Sequence, residues 1–274
     1  MSEGIQLEGV TKTYRRGGEE LRVLDGLDLH MDEGHFYALM GPSGSGKTTL
    51  LNLVGGLDRP DTGRVVVAGE DVGQLTGDGL SEWRARSVGF VFQGFNLVPV
   101  LSALENVRLP LTLTPLTRKQ QDEHARFALE VVGLADRAGH RPQQLSGGQE
   151  QRVAIARAIV TDPRVLLCDE ISLGLAPIVI RDIYACVPQI RAEGTSIVVV
   201  EQDINQALAV ADRVYCFQEG RVSLTGTPAE LTREQIKAAY FGLAEADQPS
   251  KKTAKSKPVK TKPVKTKQNG GRGA

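Results

Sequence analysis

A chain of 274 residues with 41% hydrophobic and 24% charged side chains suits one large or two small domains with a substantial core. Its longest apolar runs, such as residues 165–168 and 197–200, span only a few positions, far below the roughly 20 that a membrane-spanning helix needs. The formal net charge of zero hides a split, because residues 250–274 hold nine Lys or Arg and no acid, leaving 24 basic against 33 acidic residues, a net −9, in the rest.

The opening Met1-Ser2-Glu3-Gly4 lacks the basic and apolar regions of a secretory signal. Cys168, Cys186 and Cys216 are odd in number and isolated, without metal-spaced partners. A reducing cytoplasm is the expected compartment, with the cysteines as small buried apolar residues.

In chain order, strands are expected at residues 5–7 and 36–40. The second leads into Gly41-Pro42-Ser43-Gly44-Ser45-Gly46-Lys47-Thr48, which fits G-x-x-x-x-G-K-[ST], and then into the helical Thr49-Leu50-Leu51-Asn52-Leu53-Val54. Glycines let successive backbone N–H groups curl around an anion, and the helix end adds about half a positive charge beside it. Lys47 would reach the β- and γ-phosphates of a nucleoside triphosphate and Thr48 would hold Mg²⁺. Strands follow at residues 64–67 and 88–92, the latter closing on Gln93, and a helix at residues 118–132.

Leu145-Ser146-Gly147-Gly148-Gln149 then opens a helix over residues 150–160, a second anion-receptive N-terminus that a single nucleotide does not need. The run 165–168 ends in Asp169 and Glu170. A buried strand there would deliver Asp169 to Mg²⁺ and let Glu170 polarise the attacking water. A helix over residues 177–192 with a kink at Pro188, a strand at 196–200, a helix near 204–211 and strands at 214–217 and 221–225 complete an α/β core. The Lys, Pro and Thr content of the last residues, with Pro-Val-Lys-Thr-Lys repeated at 258–262 and 263–267, cannot bury a core, so disorder is expected over 246–274.

The pentapeptide Leu145 to Gln149, in order with the phosphate loop and the acidic strand, resembles the ATP-binding cassette (ABC) ATPases over residues 5–243. The resemblance implies a P-loop NTPase core of ABC type with an antiparallel β subdomain and a helical subdomain at about 94–160, within a cassette spanning 1–245. It also implies that Ser146, Gly147, Gly148 and Gln149 of one subunit close over the γ-phosphate held by another. ATP and Mg²⁺ are then the cofactors. Gly41, Pro42, Ser43, Gly44, Ser45, Gly46, Lys47, Thr48 and Thr49 bind phosphate, while Thr48, Gln93 and Asp169 arrange the metal. Glu170, with Lys47 and Gln93, carries hydrolysis. Tyr14 takes the adenine-stacking position, a contact any aromatic face supplies, or is a core tyrosine. Residues 95–111 would receive a coupling helix from a membrane subunit through Leu97, Val98 and Leu101, which could equally be core.

Two departures stand out. Gln202 occupies the position where the family usually places a histidine against the γ-phosphate, and Ala176 replaces the aspartate usual beyond the catalytic glutamate, with Ile171 where proline is usual. His30, His35, His124 and His140 all precede that position and are expected at the surface or in local bonds. The text up to about residue 170 looks like lipoprotein-releasing and macrolide-export ATPases. From Ile171 onward, ISLGLAP and VVVEQDINQALAVADRVYCFQEG look like the paired ATPases of branched-chain amino-acid uptake.

The expected function is ATP hydrolysis powering solute transport through membrane-spanning permease subunits. Such a chain would sit peripherally at the cytoplasmic face of the membrane and pair with a second cassette, a heterodimer being favoured. The basic tail would contact anionic lipid or simply be solvated. Alternatives are an ABC protein in DNA repair or ribosome-linked control, and a degenerate cassette with a regulatory role. The tail has no aromatic side chain to stack on bases, so no specific nucleic acid is expected.

Overall fold

The computed structural model describes residues 4–172, 174–192 and 194–241, and the expected disordered tail lies outside them. Three apolar runs found in the sequence are neighbouring strands of one six-stranded sheet: β3 (Phe36–Met40), β7 (Val165–Asp169) and β8 (Ser196–Val200). Residues alternate strictly between its faces. Phe36, Ala38 and Met40 join one core cluster while Tyr37 and Leu39 join the other, and Leu166 and Cys168 part from Val165 and Leu167 in the same way. Strands covered on both faces read as unbroken apolar runs, which is why these were legible.

The sheet runs β10-β9-β3-β8-β7-β6, with β6 at Val88–Val91, β9 at Arg213–Gln218 and β10 at Arg221–Gly226. Only β10 is antiparallel to its neighbour. On one face lie α1 (Lys47–Val54) and a four-stranded antiparallel sheet, ordered β2-β1-β4-β5. It is built on a long hairpin of β1 (Ile5–Arg16) and β2 (Glu19–Met31), followed by β4 (Thr62–Val67) and β5 (Glu70–Asp71). Sequence analysis expected only residues 5–7 of this hairpin. In β2 the buried Leu27, Leu29 and Met31 alternate with exposed residues, a half-buried strand's period of two.

The other face packs α3 (Ala103–Arg108), α4 (Arg118–Val131) and α5 (Gly147–Ile159). Ser102, Thr117 and Ser146 begin these three helices, each in a reciprocal capping box with Glu105, Gln120 and Gln149. An unexpected helix, α2 (Gly77–Ser87), buries Trp83 beneath it.

The single helix expected over 177–192 is two: α6 (Pro177–Tyr184) and α7 (Val187–Ala192). Pro188 does not kink a continuous helix. It has no N–H to give the Tyr184 carbonyl and its ring would crowd that oxygen, so the first helix stops at Tyr184 and Pro188 falls in the first turn of the next. The last elements are α8 (Ile204–Val210) and α9 (Arg233–Phe241). Among the described residues no helix is long and apolar enough to cross a membrane. Cys168 and Cys216 are buried and Cys186 half-buried, all as free thiols.

Candidate nucleotide site

Four expected site segments leave the sheet at the carboxyl ends of parallel strands: the phosphate loop after β3, Gln93 after β6, Glu170 after β7 and Gln202 after β8. Open α/β sheets place ligands along that edge. The loop begins at Gly41, whose φ of 143° brings its Cα so close to β9 that a Cβ would stand 2.3 Å from the Phe217 carbonyl oxygen. Lys47 is buried, and its ammonium donates to the carbonyls of Gly41 and Pro42, each at 2.8 Å, and to Ser45 Oγ at 3.3 Å. Burial lowers its pKa, while the charges of Glu170 and Asp169 oppose that shift. The ammonium is therefore already fixed among acceptors at the centre of the loop.

Thr48 Oγ1 donates to Asp169 Oδ1 at 3.3 Å. Burial pushes the Asp169 carboxyl up and the charge of Glu170 adds to that, while the Thr48 hydrogen bond and Lys47 pull it down. A hydroxyl and a carboxylate converging beside a phosphate loop are the hard oxygen donors that Mg²⁺ takes from a protein while keeping waters and phosphate oxygens, so these residues fit the ion.

Glu170 has a φ of 52°, a left-handed conformation that costs a non-glycine residue about 1–2 kcal/mol. Both of its carboxylate oxygens are held: Gln93 Nε2 donates to Oε2 at 3.0 Å, and Gln202 Nε2 donates to Oε1 at 3.0 Å. A carboxylate fixed by two amides remains an acceptor for a proton from water. The structure thus joins the two glutamines that sequence analysis had placed separately.

Tyr14 is more than a third exposed and is not core. Its hydroxyl donates to Asp58 Oδ2 at 2.7 Å, and Lys12 Nζ lies 5.2 Å from its ring centroid while bonding Asp58 Oδ1 at 2.7 Å. Neither Lys12 nor Asp58 was singled out in the sequence, where each reads as an ordinary surface charge.

Ser146 caps α5 by accepting from the Gln149 N–H at 3.3 Å, and Gln149 Oε1 accepts from the Ser146 N–H at 2.9 Å. Among the described residues Ser146 Oγ donates to no acceptor. Gly148 is needed for packing as well, since a Cβ there would stand 2.2 Å from Val179 of α6. Among the described residues no hydrogen bond joins Ser146, Gly147, Gly148 or Gln149 to the phosphate loop. Ala176 is the N-cap of α6 and supplies no side-chain cap.

The stretch after Gln93 is held by a residue the sequence did not flag. Arg157 of α5 donates to the carbonyls of Phe95 at 2.7 Å and Asn96 at 2.6 Å, both left-handed residues with φ of 57° and 50°. Of the expected apolar anchors, Leu97 packs on the core and Leu101 is half-buried, leaving Val98 exposed. Val100, which the sequence did not single out, is more exposed still, at 70%.

A strand, a glycine-rich loop closing on a buried lysine, a helix, and paired acids at the end of a parallel strand define a phosphate-loop nucleoside triphosphatase. The family described as ABC transporter matches residues 24–172. The chain is 44% identical over 218 residues to the uncharacterized ABC transporter ATP-binding protein YknY of Bacillus subtilis, covering 80% of this chain and 94% of that one. It is 43% identical over 220 residues to the lipoprotein-releasing system ATP-binding protein LolD of Chromohalobacter salexigens, covering 80% and 92%. Among solved structures, the dimeric post-hydrolysis state of the ATP-binding cassette MJ0796 bound to ADP and Pi is 38% identical, covers 82% of this chain and 98% of its own, and superposes with a TM-score of 0.76. The chain belongs to the ABC transporter family, as an ATP-binding and ATP-hydrolysing subunit of a transport system.

Proposed function

We propose that this subunit hydrolyses Mg-ATP in a site shared with a second cassette, at the cytoplasmic face of a membrane, and that it drives a permease to which it docks near Val98 and Val100. The observation that carries this is the Glu170 carboxylate, held through both oxygens by Gln93 and Gln202 at the strand edge that bears the phosphate loop. Lys47 and the loop amides would hold the phosphates, Tyr14 would stack on adenine, and Glu170 would orient water or take its proton. Thr48 and Asp169, with Gln93, would hold Mg²⁺, which would supply charge neutralisation for the phosphates. Ser146 and the free N–H groups of Gly147 and Gly148 would complete the partner's site. The cassette would span residues 1–245, with its helical part at about 94–160 and the basic segment at 246–274.

Pairing with a different cassette is favoured by Gln202. Its amide donates to Glu170 and can donate to a γ-phosphate, but it cannot carry the proton or positive charge of a histidine. A homodimer would hold two such sites and turn over slowly. The purified chain is expected to hydrolyse ATP weakly, to be stimulated by a partner cassette and to gain rate in Gln202→His. Steady-state rates check this: wild type alone at the roughly 1–10 per second ordinary for enzymes, with no gain in Gln202→His, would remove the need for a partner.

The basic segment supports a lipid contact, since clustered Lys and Arg gain about 1 kcal/mol per residue near an anionic surface. Deleting residues 248–274 should leave the ATPase rate unchanged and weaken binding to anionic vesicles in a salt-sensitive way. Unchanged vesicle binding at low salt would leave the segment as a solvated tail.

A further inference from the structure

Glu201 is the most buried carboxylate of the described residues, with no exposed surface, and it stands at the end of β8 between the phosphate-site edge and the core. An ionised carboxyl is stable in such a place only when donors surround it. Two side chains do: Ser172 Oγ donates at 2.8 Å and the Tyr184 hydroxyl donates in a short hydrogen bond. Burial raises the carboxyl's pKa, while these two donors and the neighbouring backbone N–H groups of Gln202 and Asp203 pull it down.

The donors come from three different segments. Ser172 lies two residues beyond Glu170, Tyr184 ends α6, and Gln202 is the residue whose side chain donates to Glu170 Oε1. The contacts therefore close a ring that runs from Glu170 along the chain to Ser172, across to Glu201, on to Gln202 and back to Glu170. Tyr184 ties that ring to α6, the helix against which Gly148 of the signature motif packs. Nothing in the reading of Glu170 as the water-activating group requires a second, buried acid behind it.

We propose that Glu201 is a positioning residue for hydrolysis, fixing the Glu170 carboxylate relative to the Gln202 amide by holding Ser172 and the Gln202 peptide from the core side. The proposal rests on Glu170 as the group that activates water. Replacing Glu201 by Gln preserves its shape but presents an amide N–H₂ to donors that need an acceptor, so the ring loosens without the phosphate loop being touched.

The test is single-turnover hydrolysis by the full chain in excess over ATP, together with ATP binding by calorimetry. Variants are Glu201→Gln, Tyr184→Phe, Gln202→Ala and the double variant Glu201→Gln/Gln202→Ala. Glu201→Gln should bind ATP within about twofold of wild type and hydrolyse it about tenfold more slowly or worse, with Tyr184→Phe intermediate. In the Gln202→Ala background, Glu201→Gln should lower the rate by less than about twofold, because its effect passes through Gln202. The same factor in both backgrounds, or an unchanged rate in Glu201→Gln, overturns the proposal. If Glu201→Gln does not fold, Tyr184→Phe and Ser172→Ala carry the same cycle. If Glu170→Gln hydrolyses at near the wild-type rate, Glu170 itself is not the activating group, whereas a slow Glu170→Gln with independent Glu201 effects removes Glu201 alone.

Discussion

Glu170→Gln is expected to bind ATP about as well as the wild type and to hydrolyse it at least about a hundredfold more slowly, the scale of lost acid–base assistance. Glutamine fills the same space and can still meet the amides of Gln93 and Gln202 through its single oxygen, but it has no carboxylate to receive a proton from water. Thr48, Asp169 and the loop amides are untouched, so binding has no reason to fall. Lys47→Ala should do the opposite and lose nucleotide binding, because the ammonium held by Gly41, Pro42 and Ser45 is the fixed positive charge at the centre of the loop. Calorimetric affinities beside turnover rates separate the two variants. Near-normal hydrolysis in Glu170→Gln would show that another group activates the water.

The second large effect is expected at Gly41. Alanine there would put a Cβ 2.3 Å from the Phe217 carbonyl and 2.9 Å from Ser45 Oγ, at a φ of 143° that L-residues rarely adopt. The crowding atom is backbone of β9, which cannot rotate away as a side chain can. Backbone strain and overpacking together should cost about 2–4 kcal/mol. For a domain of this size that lowers Tm by roughly 5–15 °C, and the displaced loop should bind ATP at least about tenfold more weakly. Gly44→Ala is the control. Its φ of 80° carries the conformational cost, but nothing lies within 4 Å of the added Cβ, so its Tm loss should be clearly smaller. Equal losses in the two variants would mean that contact with β9 is not what makes Gly41 necessary.

Much of the site was legible because its elements each have a local cause. The phosphate loop is contiguous, β3, β7 and β8 are apolar on both faces, and the paired acids stop β7 where the sheet edge meets solvent. What escaped depends on distant segments. Glu201 after an apolar run reads as a solvated strand end, yet Tyr184 and Ser172 fold over it and bury it. Arg157 reads as one charge on an amphipathic helix, yet it pins two left-handed residues about 60 positions earlier.

The hairpin of β1 and β2 illustrates a different limit. Its bulged register interrupts the alternation between Leu7 and Thr13, so the period of two is broken within β1 and stays regular only at the end of β2. Pro188 marks a break between α6 and α7 rather than the kink within one helix that the sequence suggests. Proline acts on the carbonyl four residues before it, one turn ahead of where the ring itself sits.

The central claim is that the motif at Ser146 to Gln149 completes a phosphate site on another cassette. It is tested most directly by sedimentation of the Glu170→Gln chain with Mg-ATP. The chain should be a monomer without nucleotide and, with Mg-ATP, should pair through two bound ATP, either with itself or with a partner cassette added in a second run. Adding Ser146→Asp, which keeps the N-cap of α5 but sets a negative charge against the partner's γ-phosphate, should abolish the dimer while each chain still binds one ATP. A chain that stays monomeric with ATP both alone and beside a partner cassette, or a dimer that survives Ser146→Asp, would contradict the shared site.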